Sequence, residues 1–204
     1  MSLSARLRQA TGALHREVES AALIAELLRG KLDRGDYCAL LRNLYPIYEA
    51  LEARLSDTQL PDGIADPRLK RLAVLEADLR ALHGADWAAL PITEVALAYR
   101  THLLEVDEAQ LVAHAYVRYL GDLAGGQMLG RIVEKAYGAG AGFYRFPEPG
   151  ATELAARFRN ALDALDLPTL AGAARALFIA STYGEGDAPD GASVFAAERM
   201  QGAA

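Results

Sequence analysis

Residues 121–130 read GDLAGGQMLG, placing four glycines and one carboxylate, Asp122, inside a stretch that otherwise has helical spacing. The flanks EAQLVAHAYVRYL and RIVEKAYG both carry apolar residues at i, i+3 and i+4. Keeping a helix through these glycines costs about 1 kcal/mol each relative to alanine, roughly 3–4 kcal/mol together. Such a penalty needs a return. Without a Cβ, a helix face lets another surface come close to the backbone, and Gly121 and Gly125 lie one turn apart on such a face. Gly126 stands one turn beyond Asp122 and is expected to let the helix bend. A helix–helix seam of small residues is one use for this pattern. A planar ligand lying across the helix, with water or a small molecule held by Asp122, is another. The seam requires neither four glycines nor an acid among them; the ligand accounts for both.

Haem is a flat ligand of this kind, and its iron usually takes an axial side chain. The chain has four histidines, His15, His83, His102 and His114. His83 precedes a glycine in ALHGAD and suits a turn, and His102 in YRTHLLE suits a helix surface. His114 precedes Gly121 by seven residues, so a haem seated on the glycines would lie about 10 Å away from it along the axis. His15 belongs to a different helix and could approach the opposite haem face. Glu19, one turn later, could accept from the imidazole Nδ1–H and fix its tautomer. Taken alone, an H-x-x-x-E pair equally describes a surface histidine with an incidental carboxylate, which is its commoner occurrence.

These residues require helices to carry them, and helical spacing dominates the chain. Leu7, Thr11, Leu14, Val18, Ala22 and Ala25 share one face of a first helix, with Ser4 as candidate N-cap. Asp36 is a candidate cap for a second, with Tyr37, Leu41, Leu44, Tyr48, Leu51 and Leu55 on its apolar side. Pro46 is expected to kink that helix without ending it. The pattern predicts further helices over about 67–83, from about Thr93, over 108–137, and over about 152–165 and 168–183. Strand-like alternation is nearly absent, so the expectation is one all-α domain over residues 1–184. The last twenty residues, 185–204, are expected to include a flexible tail.

Composition narrows the function classes. The 204 residues are 52% hydrophobic with net charge −6, enough apolar material for a core and the wrong sign for a general nucleic-acid binder. One cysteine, Cys38, excludes an internal disulfide and fits a reduced cytoplasm. Neither a transmembrane run nor a secretory signal is visible.

The segments ATGALHREVE at 10–19 and LVAHAYVRYLGDLAGGQMLGRIVEKA at 111–136 together resemble haem oxygenase. LRNLYPIYEALEARL at 41–55 and FRNALDALDL at 158–167 extend the resemblance over about residues 4–183. It implies a helical fold that sandwiches haem between a proximal helix and a kinked, glycine-rich distal helix. Haem would be both substrate and cofactor, converted with O2 and electrons to biliverdin, carbon monoxide and ferrous iron. His15 would be the iron ligand and Glu19 its hydrogen-bond partner. Gly121 and Gly125 would press on the distal haem face, with Gly126 beside them. Asp122 would organise distal water together with Tyr48 and Arg118. Arg8, Tyr116 and Arg159 match propionate-holding positions, Thr11 joins the haem-binding residues, and Phe178 matches a pocket wall. The implied partner is an external electron donor, a reductase or ferredoxin-type protein, serving a cytoplasmic monomer without a membrane anchor.

Two positions depart from the family pattern. Ala124 replaces the usual serine of GDLSGG, and Ala155 stands where a lysine commonly precedes Arg159 by one turn. Both bear on how haem seats, and hence on which meso carbon is oxidised. The chemistry otherwise suits the residues. A neutral histidine pushes less electron density onto iron than a thiolate, which would favour O–O cleavage. A distal face without side chains leaves room for oxygen, and a carboxylate can deliver protons through water. The rival within the same ligand class is a protein that stores or delivers haem without degrading it. It would need His15 and the arginines but not Asp122.

Overall fold

The computed structural model describes residues 2–9, 12 and 22–165, and their regular secondary structure is helical, with no strand among them. Residues 3–9 form α1, followed by α2 (Ala22–Leu28), α3 (Arg34–Asp57), α4 (Leu72–His83), α5 (Glu94–Glu105), α6 (Glu108–Tyr137) and α7 (Ala151–Asp163). Short 3-10 turns occupy Pro67–Leu69, Trp87–Ala89 and Gly142–Tyr144. The helix expected over 168–183 and the tail expected over 185–204 lie outside the described residues. Among the described helices none is long and apolar enough to cross a membrane.

The long helices begin and end where local chemistry dictates. Asp107 caps α6: its side chain accepts from the Gln110 N–H, while the Gln110 side chain accepts from the Asp107 N–H. This reciprocal box satisfies two of the donors that a helix start leaves open. At the other end Gly138 takes a left-handed φ of 68° and returns its N–H to the Glu134 carbonyl. Pro46 sits inside α3 without ending it, and Tyr37, Leu41, Leu44, Tyr48, Leu51 and Leu55 are all buried as the spacing requires.

Three starts differ from expectation. Asp33 caps α3 by accepting from Gly35 N–H, which leaves Asp36 in the first turn, where it still complements the helix dipole. At α1 the Ser2 hydroxyl accepts from Ala5 N–H, and Ser4 instead turns its N–H and hydroxyl to Asp163 of α7. The segment expected as one helix over 67–83 is broken at Arg71. That side chain is 2% exposed and spends its guanidinium on the carbonyls of Leu69, Phe143, Arg145 and Arg68. Glu52 of α3 supplies the missing cap, accepting from the N–H groups of Arg71 and Leu72.

α3 is the hub of the bundle, packed between α4 and α5 and against α6. Its arginines tie it to the ends of its neighbours. Arg34 donates to the Leu82 carbonyl near the end of α4, and Arg54 to those of Leu103, Leu104 and Val106 at the end of α5. α6 in turn packs against α2, α3, α7 and the 142–144 turn. That turn is fixed by Asp78, which accepts from the N–H groups of Gly142 and Phe143. The consequence for function is an α6 with one side pressed on the bundle and another that no described residue covers.

Candidate functional site

The four glycines of α6 divide into two pairs. A Cβ built on Gly126 would meet the Tyr144 carbonyl at 3.3 Å, and one on Gly130 would meet Tyr144 Cβ at 3.1 Å. These two form the close-packing seam, against the 142–144 turn and not against a long helix. A Cβ on Gly121 or Gly125 meets nothing within 4 Å among the described residues. Both glycines, with Ala124 and Met128, give a face of α6 that is exposed or half-buried and has almost no side chains before Met128. Packing therefore explains Gly126 and Gly130, whereas among the described residues Gly121 and Gly125 have no packing role.

Behind that face lies a polar row in which His114 and Asp122 are buried and Arg118 is half-buried. His114, Arg118 and Asp122 recur every four residues on α6, so they stack on the side facing α3 and α5. Tyr48 of α3 donates its hydroxyl to Asp122 Oδ2 in a short hydrogen bond. The Tyr48 ring is held by Phe143, edge-on at 5.5 Å, and by Tyr119 at 6.3 Å, so its hydroxyl has little freedom to point elsewhere. The Arg118 guanidinium sits 5.8 Å from the Tyr48 ring centre. Its Nε and Nη1 are shut off from solvent and have no hydrogen-bond acceptor among the described residues. Orphaned buried donors are rare in folded proteins, and two on one guanidinium mark a place where an acceptor belongs.

Electrostatics sharpen this picture. Burial raises the Asp122 carboxyl to about 6, against the opposing pull of Arg118, the Tyr48 hydrogen bond and Arg71. Burial likewise pushes the Tyr48 hydroxyl well upward, so it remains a donor. Burial alone would weaken the Arg118 cation, but the field of Tyr48 and Asp122 outweighs it and keeps the group charged. One carboxyl near neutrality, one fixed hydroxyl and one charged guanidinium with free donors can hold ordered water and exchange a proton with it.

His114 has a different occupation. It is 1% exposed, shares a 2.9 Å hydrogen bond through Nδ1 with the Tyr99 hydroxyl, and packs edge-on to His102 at 5.2 Å. Burial first, and then the neighbouring His102 and Arg118, lower it to about 3, so it stays neutral. His102, read as a surface histidine, is half-buried in this contact, and His83 is exposed at the end of α4.

Of the residues expected at the site, the structure brings together Tyr48, Arg118 and Asp122 directly, with Gly121 and Gly125 on the adjoining face. Gly126, expected to favour bending, is buried against Tyr144. Tyr116 is buried on α6, while Arg8 on α1 and Arg159 on α7 are exposed. Thr11, His15, Glu19 and Phe178 lie outside the described residues. Sequence reasoning missed Arg71, Asp78 and Tyr144, which fix the turn behind the glycines, and the Tyr99–His114 pair. No spacing rule marks them, because each acts on a partner distant in the chain.

The sequence matches the family profile described as "Heme oxygenase" over residues 1–180. "Heme oxygenase 1" of Homo sapiens is 34% identical over 179 residues, covering 81% of this chain and 62% of the human protein. "Heme oxygenase 1" of the cyanobacterium Synechocystis is 34% identical over 158 residues, covering 72% of this chain and 66% of that protein. The chain thus spans somewhat under two thirds of the human relative. The crystal structure of the Synechocystis heme oxygenase-1 in complex with heme superposes with a TM-score of 0.83 at 27% identity, covering 98% of this chain and 97% of that one.

Proposed function

The chain belongs to the haem oxygenase family, and we propose that it binds haem on the Gly121–Gly125 face and cleaves it to biliverdin, carbon monoxide and ferrous iron. The observation that carries this reading is the division of the glycines. Two are consumed by packing, and two lie bare beside a buried carboxyl and a guanidinium with unused donors. The residues fit the ligand: a flat macrocycle needs a face without Cβ atoms, and the orphaned Arg118 donors need acceptors. When bound, haem supplies both the iron that takes up oxygen and the ring that is opened.

The chain's own residues do the rest. Gly121 and Gly125 let the macrocycle approach the α6 backbone and exclude bulk water from the distal side. Asp122, with Oδ2 taken by Tyr48, has its other oxygen available to hold water. At about 6 its carboxyl is poised to give and take a proton near neutral pH. Arg118 fixes further water through Nε and Nη1. His15 is proposed as the iron ligand and Glu19 as its orienting partner, with Arg8, Thr11, Tyr116 and Arg159 toward the propionates and Phe178 on the pocket wall. Gly126 supports the distal helix through its contact with Tyr144. We assign the electrons to a reductase or ferredoxin-type donor, and the protein to the cytoplasm as a monomer.

The test is anaerobic haem loading followed by oxygen and reductant, with chromatography of the products. Biliverdin from the unmutated protein and little from Asp122→Ala, with haem still bound, is the expected result. A protein that holds haem through the same treatment without losing its Soret band is a haem store, and the oxygenase reading then fails.

A further inference from the structure

Ser4 and Asp163 are 159 residues apart in sequence and joined by two hydrogen bonds. Ser4 N–H donates to Asp163 Oδ1 at 2.7 Å, and the Ser4 hydroxyl donates to Oδ2 at 2.9 Å. Both carboxylate oxygens are therefore engaged by one residue, which fixes α1 against the end of α7. The register of the two helices gives this clasp its interest. Arg8 lies four residues after Ser4, and Arg159 lies four residues before Asp163. Each arginine is thus one helical turn from the clasp, on roughly the same face of its helix as the clasp residue. Both are exposed, and neither has a hydrogen-bond or ion-pair partner among the described residues. The neighbouring Arg157, in contrast, is paired with Glu153 at 2.5 Å.

We propose that the Ser4–Asp163 clasp is a positioning device for an anion-binding pair: it holds α1 and α7 so that Arg8 and Arg159 present two unpaired guanidiniums to one ligand edge carrying two carboxylates. This inference rests on the haem reading above, in which that edge is the propionate edge. Asp163 touches no ligand; it acts through the two arginines. The geometry rather than the charge of Asp163 is what matters. A carboxylate acting only through its field would oppose anion binding at a neighbouring arginine, so its removal would strengthen binding. Loss of the clasp weakens binding instead, because α1 is then free to shift against α7 and the two cations no longer meet one edge. Ala155, which stands one turn before Arg159 where the family pattern has a lysine, leaves this arginine pair to carry more of the edge than in relatives with the third cation.

The test compares binding of haem with binding of its dimethyl ester, which has the same iron and ring but no propionate charge. Exposed charge pairs are worth about 0.2–1 kcal/mol each, so two of them give the unmutated protein a preference for haem of up to about thirtyfold. Asp163→Ala is expected to reduce that preference to about twofold while leaving the ester's affinity unchanged. Asp163→Asn, which keeps an acceptor for Ser4 N–H, is expected to retain most of it, and Ser4→Ala to fall between. An equal loss for haem and ester in Asp163→Ala means that the clasp only supports the fold, and it overturns the proposal. So does a preference that is unchanged, or that rises in both Asp163 variants. Failure of the unmutated protein to bind either porphyrin refutes the haem reading itself and this inference with it.

Discussion

Replacing Gly121 and Gly125 by alanine should stabilise the ligand-free protein and damage its haem binding at the same time. Both glycines sit in the interior of α6, where alanine is favoured by about 1 kcal/mol per position. A Cβ at either site meets nothing within 4 Å among the described residues, so no crowding by them offsets the gain. The double variant should therefore gain about 2 kcal/mol, or roughly 4–8 °C in Tm for a protein of this size. Gly126→Ala and Gly130→Ala supply the internal control. Their Cβ atoms would stand 3.3 Å from the Tyr144 carbonyl and 3.1 Å from Tyr144 Cβ, on a turn pinned by Asp78. Overpacking of that sort costs about 1–3 kcal/mol, which cancels or exceeds the propensity gain. Denaturant unfolding without haem reads the stabilities, and a Soret titration reads the affinities. We expect the stable double variant to bind haem at least about tenfold more weakly, about 1.4 kcal/mol. If it gains stability and binds haem as before, the bare face is not the haem seat. If it loses stability, the face is not bare.

Asp122 and His114 should contribute opposite slopes to stability against pH. Asp122 is raised to about 6, so the native state holds a proton that the unfolded chain has released; stability falls as pH rises from about 4 to 6, by on the order of 3 kcal/mol. His114 is lowered to about 3, so the unfolded chain takes up a proton first; stability falls by about 1.4 kcal/mol per unit as pH drops from 6.5 toward 3. The two nearly offset one another between pH 4 and 6. Asp122→Asn should expose the acid-side loss and His114→Gln should remove it, measured as urea unfolding across that range; parallel profiles for all three proteins would rule the assignment out. His15→Ala should lose the histidine-ligated spectrum of ferrous haem and regain it in part with imidazole, whereas loss in His114→Ala alone would reverse the proposed ligand. Arg71→Ala should cost about 3 kcal/mol or more, since it strips donors from four backbone carbonyls at a buried site; a change below 1 kcal/mol in denaturant unfolding would show that water replaces them freely.

What the sequence determined by itself is what lies within a few turns of one helix. Asp107 with Gln110 and the later Gly138 set the bounds of α6, and the spacing from Tyr37 to Leu55 sets the buried face of α3 through Pro46. Those signals are local: a cap acts on amides two or three residues away, and an apolar stripe follows from 3.6 residues per turn. Resemblance of the glycine segment to a known family added the chemistry, and the match over residues 1–180 agrees with it. Tertiary structure alone decided which glycines pack on protein: a helical wheel separates Gly121 and Gly125 from Gly126 and Gly130, but only the fold brings Tyr144 against the second pair and leaves the first without a described neighbour. It alone paired Tyr48 with Asp122 across 74 residues, and Ser4 with Asp163 across 159. It also divided the segment over 67–83, since Arg71 leaves the helix to serve carbonyls of a turn more than seventy residues later. Such pairings depend on which surfaces the folded bundle sets opposite each other, and no periodicity along one helix specifies its neighbour.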